Sequence, residues 1–306
     1  TANTTGQQNT SVGSNSMSVN TTGSDNVAIG YAALDANTTA DNNTAVGKSA
    51  LSANTEGYGN TAVGTSALLT NVTHDKNTAV GFEALKTSVG DGNTAMGYEA
   101  MEANTSGTYN VAIGFRALDA NTTASNNTAV GTNCLTANID GENNVAVGAD
   151  SLDVNTTGSN LTAMGRGALG AATTGNSHTA FGKDAGSAAT TGSNNIFIGK
   201  DAGTTGSPGG SITTESNEVC IGDENITEAH IQVDWTIASD ARDKTDVEDL
   251  SIGLDFVKQL KPKTYRWDKR SRYSEDQSID PDGSHKAEQL DVGFLAQDVD
   301  ALEKSL

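Results

Sequence analysis

A glycine-centred unit recurs along most of this chain at a nearly constant spacing. The unit reads Asn-Thr-Ala-Val-Gly with small variations. Ten of the twelve intervals between successive unit glycines are 17 residues long, as from Gly13 to Gly30. The step from Gly81 to Gly97 is one position shorter, and the last step is six positions longer because an insert around 207–210 lengthens a loop. The glycines are Gly13, Gly30, Gly47, Gly64, Gly81, Gly97, Gly114, Gly131, Gly148, Gly165, Gly182, Gly199 and Gly222. Such a period is typical of a solenoid, in which each repeat forms one coil stacked on the next.

Each position of the repeat has its own chemistry. The residue before the glycine is large and apolar (Ile29), and the one before that is small (Ala28). The third residue after the glycine is small (Ala33), and the fourth is Leu or Met (Leu34). The Asn-Thr-Ala-Val stretch alternates like a strand, with Thr and Val on one face and Ala on the other. The Ala-Leu segment predicts a second short strand, so each repeat predicts one coil of an all-β, parallel β-solenoid, or β-roll. At about 4.8 Å per coil, a dozen coils would form a rod of roughly 60 Å.

An asparagine stands four residues before most of the unit glycines. Side-chain amides at a fixed place in a stacked coil can bond to the turn backbone and to each other, so the pattern predicts an asparagine ladder. Its predicted members are Asn26, Asn43, Asn60, Asn77, Asn93, Asn110, Asn127 and Asn144.

The composition limits both the core and the partners. Only 35% of the residues are hydrophobic, so one coil buries little more than one Val, one Leu and some Ala. A roll this slender is predicted to associate along its length, as a dimer or a trimer, to offset a backbone ordering cost of about 1–2 kcal/mol per residue. The net charge of −20 disfavours nucleic acids and anionic membrane surfaces. No apolar stretch is long enough for membrane insertion.

The cysteines and histidines are interpreted as structural residues and not as functional ones. Cys134 and Cys220 fall where the repeat needs a small residue, so we expect both to be small core fillers. The histidines, which lack metal-ligand spacing, are expected to be solvated loop residues, and no metal or cofactor is predicted. They are His74, His178, His230 and His285.

Aromatic residues follow the unit glycine in four coils. They are Tyr31, Phe82, Tyr98 and Phe115. Packing along the edge of the solenoid is the favoured interpretation, and stacking on the sugar rings of a polysaccharide is the alternative. No pair of carboxylates in this region predicts a glycosidase.

The repeat over roughly residues 9–222 resembles the head repeats of trimeric autotransporter adhesins, and similar repeats occur in phage tail fibres. The resemblance implies a parallel β-roll in which three chains wind around one axis. The predicted shaft therefore spans residues 1–230, and its predicted state is a homotrimer.

The character of the chain changes after the last repeat. Residues 231–238 alternate as a neck strand, and residues 239–306 are charged and aromatic. A helix is predicted from the capping Ser251 to Pro262, followed by strands over Thr264–Trp267 and Leu290–Leu295. Together they predict a small α+β domain, which the chain leaves incomplete.

Three ordered blocks carry a second resemblance. They are Ser-Asp-Ala-Arg-Asp-Lys at 239–244, Leu-Asp-Phe-Val-Lys-Gln-Leu-Lys-Pro at 254–262 with Tyr-Arg-Trp at 265–267, and Val-Gly-Phe-Leu-Ala-Gln-Asp-Val at 292–299. They resemble the intramolecular chaperone domain of endosialidase-type tail spikes and fibres. In that family the domain assists trimer folding and then cuts itself off. The resemblance implies Ser239 as nucleophile, Lys244 as base, and cleavage of the Ala238–Ser239 bond.

The chemistry of this pair is coherent. A serine hydroxyl needs a base, and a lysine can serve when burial keeps it neutral. A separation of five positions places Ser239 and Lys244 on different faces of a helix or a strand, so the chain must bend or the trimer must complete the site. The plain alternative is that Ser239 caps a helix and Lys244 is a solvated charge.

The sequence thus favours an extracellular, virion-borne tail-fibre shaft that attaches to a bacterial surface glycan or protein and is assembled by a self-cleaving chaperone. The first alternative is a bacterial surface adhesin or other extracellular fibre. The second is an enzyme acting in trans, which is disfavoured because the only catalytic constellation acts on its own chain.

Overall fold

A computed structural model describes residues 3–229, 253–266, 282–286, 288, 290–295, 298–299 and 302. The chain divides into two compact units, Thr1–His230 and Ile231–Leu306, and each is described by itself. The predicted neck strand at 231–238 lies outside the described residues.

The first unit is a parallel β-solenoid with one short strand in each coil. All thirteen strands form a single parallel sheet whose order follows the chain, and paired residues stand one repeat apart, as for Ala45 and Ala62. The predicted fold class is confirmed. The strands are β1 (Thr10–Val12), β2 (Val27–Ile29), β3 (Thr44–Val46), β4 (Thr61–Val63), β5 (Thr78–Val80), β6 (Thr94–Met96), β7 (Val111–Ile113), β8 (Thr128–Val130), β9 (Val145–Val147), β10 (Thr162–Met164), β11 (Thr179–Phe181), β12 (Ile196–Ile198) and β13 (Val219–Ile221).

The core is a narrow column of Ala and Leu side chains. In β3 the central Ala45 is fully buried, whereas Thr44 and Val46 point away from the core and are half-buried. The Leu or Met that stands four residues after most of the unit glycines, such as Leu51, is also buried. The predicted alternation is therefore correct. The interior of a typical coil contains two small side chains and one large one, such as Ala45, Ala50 and Leu51, and the valine expected there lies on the outward face.

The second strand predicted for each coil is wrong. The Ala-Leu segment is a series of turns in which Ala32 and Leu34 adopt φ values of 51° and 53°. A residue in the left-handed backbone conformation cannot be part of the extended backbone of a strand. The segment still bonds to both neighbouring coils, because the N–H of Leu34 donates to Ala50 O at 3.0 Å and that of Ala32 to Ser14 O at 3.0 Å.

The unit glycine is required by a close approach between coils. Gly30 has φ 136°, and a Cβ on it would lie 2.5 Å from the carbonyl oxygen of Gly47 in the next coil. Only glycine combines this conformation with this contact. The period of the repeat is therefore the period of a column of glycines.

The predicted asparagine ladder is present and buried. The N–H of Asn43 donates to Asn26 Oδ1 at 2.9 Å, and Asn43 Nδ2 donates to the carbonyl of Gly57 at 2.8 Å. The backbone-to-side-chain bond recurs at 2.9–3.0 Å along the eight predicted members. Each of these amides accepts from a backbone N–H, and each except that of Asn77 also donates to a turn carbonyl, so groups that the narrow coil would otherwise bury without partners are satisfied.

A second ladder runs in parallel and was missed by sequence reasoning. The asparagine that begins the Asn-Thr-Thr-Gly turn is buried, and Asn37 Nδ2 donates to Asn20 Oδ1 at 2.8 Å and to Ala40 O at 3.1 Å. The recurrence of this asparagine seven residues after eight of the first nine unit glycines was the available signal. Its members are Asn20, Asn37, Asn54, Asn71, Asn104, Asn121, Asn138 and Asn155, with Ser88 in the short coil.

The two coils of unusual length differ from the others in their turns. Beside the short coil, two buried amide atoms, Asn71 Oδ1 and Asn77 Nδ2, have no hydrogen-bond partner. The long coil adds residues between Gly203 and Thr213, whose N–H and carbonyl groups close local turns. Strand pairing continues unchanged on both sides, so the predicted loop insert is confirmed.

The second unit contains a short helix, α1 (Gly253–Gln259), and two antiparallel strands, β14 (Lys263–Tyr265) and β15 (Asp291–Gly293). The predicted helix and both predicted strands are thus present but shorter than expected. Ser251, the predicted cap, lies outside the described residues.

Candidate functional site

The predicted catalytic residues are not among those that the structure describes. Ser239, Lys244 and the cleavage position Ala238 all lie outside the described residues, and so does His230. Their roles therefore remain predictions from the family resemblance. The described candidate surfaces lie on the solenoid and in the second unit.

The outward face of the long sheet is a continuous uncharged strip. Each strand presents its first and third side chains on this face, and at all thirteen strands both are Thr, Val, Ile, Met or Phe. Several third positions are well exposed, including Ile29 at 39%, Met96 at 43% and Ile198 at 42%. We call these positions of β1–β13 the outward strip. Monomeric soluble proteins rarely expose contiguous apolar patches of this extent, so the strip indicates an interaction surface.

Three aromatic rings form an exposed ladder on consecutive coils. Phe82 stacks on Tyr98 with 5.2 Å between ring centroids, and Tyr98 stacks on Phe115 at 5.5 Å, both with an interplanar angle of 11°. The predicted packing along the solenoid edge is confirmed for these rings. Because their faces cover one another, mainly their edges remain for contact with a ligand. Tyr31 lies three coils earlier, with Lys48 and Thr65 at the intervening positions.

A charge network borders this ladder. The carboxylates of Glu83, Glu99 and Glu102 lie within 4.8 Å of one another. Lys86 pairs with Glu83 at 2.9 Å and with Glu102 at 3.1 Å, and Arg116 pairs with Glu99 at 3.2 Å. The two cations balance part of the acidic charge, so the cluster is an ion-pair network along the coils.

The histidine prediction was wrong for His178. This residue is fully buried at a ladder position, where its Nδ1 accepts a hydrogen bond from the N–H of Asn195 at 3.2 Å, as an asparagine oxygen does elsewhere. Burial lowers the pKa of His178, although nearby backbone groups partly oppose this. A neutral ring can therefore replace an amide in the ladder. His285 is exposed, and half-buried His74 lies 3.3 Å from Asp91.

Both cysteines are buried fillers, as predicted. Cys134 takes the small-residue place three after the glycine, and its Sγ donates to Ala146 O at 3.2 Å. Burial raises the pKa of the Cys134 thiol to about 12. Cys220 takes the central place of β13 and accepts from the N–H of Gly203 at 3.1 Å. Neither thiol has the exposure that a reactive cysteine needs.

The second unit has a groove of about 630 Å³ beside α1. Its lining includes Lys258, Lys261 and Lys263 together with Phe294 and Val299. These residues belong to the second and third blocks of the chaperone resemblance, or lie next to them. The blocks, although distant in sequence, are therefore brought together.

Comparison with known proteins agrees with this second resemblance. Residues 239–305 match the family model described as chaperone of endosialidase. No curated protein matches the chain. Within the described part of the chain, no helix combines the length and the apolar character that crossing a membrane requires.

Proposed function

We propose that this chain, a β-solenoid followed by a chaperone-of-endosialidase segment, is a homotrimeric tail-fibre shaft that attaches a virion to the bacterial surface. The observation that carries the proposal is the outward strip. A fibre must be long and stiff, and thirteen stacked coils supply the length. Stiffness requires that these slender coils contact other copies of the chain along their whole length.

Association of copies follows from what the strip exposes. The interior of a coil holds mainly Ala and Leu, whereas residues such as Ile113, Met164 and Phe181 are 38–42% exposed on the outward strip. Covering these side chains stabilises an assembly by about 25 cal/mol for each Å² of apolar surface removed from water. The rest of the chain carries the −20 charge, so copies approach best along this uncharged face. The similarity to adhesin heads favours three copies.

The C-terminal segment supports assembly and then its own release. In the proposed cleavage, Ser239 Oγ attacks the carbonyl carbon of Ala238, the bond to the Ser239 nitrogen breaks, and an ester forms. Neutral Lys244 takes the hydroxyl proton and delivers it to the released amine. Water then hydrolyses the ester, which leaves a carboxylate on Ala238 and a free amino terminus on Ser239. The reaction needs no metal or cofactor and acts only on this chain.

The mass of the assembly in solution tests the association. Sedimentation equilibrium of the Ser239→Ala chain, which is expected to stay uncut, should give three times the chain mass. Val46→Asp on the outward strip is expected to dissociate the assembly, because a charge cannot be buried there without a partner. Val72→Asp is the matched control, because Val72 is an exposed valine in a turn away from the strip. A wild-type monomer would exclude the proposal.

Location separates the fibre from its alternative. Antibodies against the shaft are expected to label the tails of virions in electron micrographs. Labelling of uninfected bacterial cells instead would favour the bacterial surface adhesin. In either case the protein acts outside the cell.

A further inference from the structure

The outward strip is not uniform along the solenoid. In β3, β4 and β5 each strand presents one Thr and one Val, and these side chains are half-buried. In β12 and β13 both outward positions are large and apolar. They are Ile196 and Ile198 in β12 and Val219 and Ile221 in β13.

The last strands also expose more of this apolar surface. Ile196 and Ile198 are 37% and 42% exposed, and Val219 and Ile221 are 60% and 48% exposed. In the preceding strand Phe181, which pairs in register with Ile198, is 42% exposed. Because Phe181, Ile198 and Ile221 are aligned by strand pairing, these side chains form one contiguous patch. We call the outward positions of β11–β13 the terminal patch.

A second copy of this chain is the partner that fits the terminal patch. No outward position carries a charge that would select a charged partner. Rotation about an axis parallel to the solenoid brings the same strand of each copy to the same height, so the apolar patch meets itself. The patch is also continuous with the remaining outward strip, on which the proposed association depends.

The patch also distinguishes one alignment of the copies from another. Neighbouring Thr-Ala-Val strands are almost identical, so two copies shifted by one coil would lose little contact along β3–β5. A shift would instead place Phe181 and the large side chains of β12 and β13 against different partners. Four of the six outward positions of β11–β13 are Phe or Ile, more than in any other three consecutive strands of the solenoid, so this end opposes slippage most strongly.

We propose that the terminal patch is the anchor that holds copies of this chain together and sets their alignment. The proposal rests on the association in the proposed function. The remaining coils contribute smaller contacts, which form once the patch has aligned the copies.

Two matched triple variants test the anchor. The anchor variant carries Phe181→Val, Ile196→Thr and Ile198→Val, and the control variant carries Met96→Val, Val27→Thr and Ile29→Val. Each change gives a strand the Thr or Val that β3–β5 already have, so both variants are expected to keep the wild-type circular dichroism spectrum. The measurement is the concentration of half-dissociation by sedimentation velocity.

The anchor variant is expected to dissociate at a concentration at least tenfold above that of the control variant. Equal effects, or a larger effect of the control, would overturn the anchor while leaving the association intact. A wild-type protein that does not associate would instead exclude the proposed function, together with the anchor. Phe181→Val alone, with a smaller effect in the same direction, covers the case in which the triple variant misfolds.

Discussion

The ring of Phe197 fills the space that Gly186 leaves in the core. Phe197 replaces the alanine at the centre of strands β2–β11, and Gly186 stands where earlier coils have Leu or Met, as at Leu169. A Cβ on Gly186 would lie 2.5 Å from Phe197 Cδ2. Gly203 leaves space for the same ring from the next coil, since a Cβ on Gly203 would also clash with the Phe197 ring. Large and small residues have thus exchanged places within the close-packed core.

This exchange predicts strong coupling between the two sites. Phe197→Ala is expected to lower the free energy of unfolding by about 3–5 kcal/mol, because it leaves a cavity. Gly186→Leu alone should destabilise through its clash with the ring. The double variant should recover much of both losses, since Leu169 shows that leucine fits this backbone. Urea denaturation of the four proteins measures the coupling, and additive losses would contradict it.

The buried ring of His178 predicts a loss of stability in acid. Its pKa is lowered in the folded chain, so below pH 6.5 the unfolded chain takes up a proton that the coil resists. The free energy of unfolding should therefore fall as the pH drops below 6.5 and be unaffected by this group above it. His178→Asn should remove this slope, which thermal melts at several pH values can detect. Equal slopes for both proteins would count against the assignment.

The first asparagine ladder is expected to stabilise each coil. Asn43→Ala removes the acceptor for a buried N–H in the next coil and the donor to Gly57 O. Each unsatisfied buried group costs about 1–3 kcal/mol, so the variant should melt well below the wild type. Glu56→Ala, which truncates an exposed side chain in the same region, is the control and should have little effect.

Cys134 is expected to be inert and replaceable. A thiol with a pKa of about 12 stays protonated, so maleimide should not label it in mildly alkaline buffer until the coil unfolds. Ser151 occupies the same place one coil later and directs its hydroxyl at Ala163 O at 3.4 Å. Cys134→Ser should therefore fold normally. Rapid labelling of the native protein would show that the position is open.

Cleavage before Ser239 is tested by intact mass. The expressed gene product should yield two fragments divided between Ala238 and Ser239, whereas Ser239→Ala and Lys244→Ala should remain whole. Ser251→Ala removes a serine outside the proposed pair and should cleave like the wild type. An uncut wild-type protein would refute the proposed chemistry.

The architecture could be predicted from the sequence because every coil repeats the same constraint. Gly30 has its conformation and its close contact with the next unit glycine in common with the other unit glycines up to Gly182, so one period determines the stacking. The asparagine ladder was predictable for the same reason. The match of residues 239–305 also agrees with the three blocks from which the chaperone was predicted.

Two details that the sequence did not predict, the conformation of Leu34 and the burial of His178, depend on contacts with neighbouring coils. Leu34 adopts a left-handed conformation that costs a leucine about 1–2 kcal/mol, so its pattern indicated a strand instead. His178 was assigned to solvent because a lone histidine gives no sign that it can replace a ladder amide. In both cases stacking on neighbouring coils outweighs the preference of the single residue.

The nearest-neighbour bonding of the coils has a consequence for how such a molecule can change over generations. Along the described solenoid, the bonds between coils join each coil to the one before and the one after, mostly through the same groups at an offset of one repeat. Duplication or loss of a whole repeat would leave every remaining coil stacked on neighbouring coils of the same kind. The reach of the protein can therefore be lengthened or shortened in steps of one coil, by recombination between similar stretches of its gene, without the invention of a new fold.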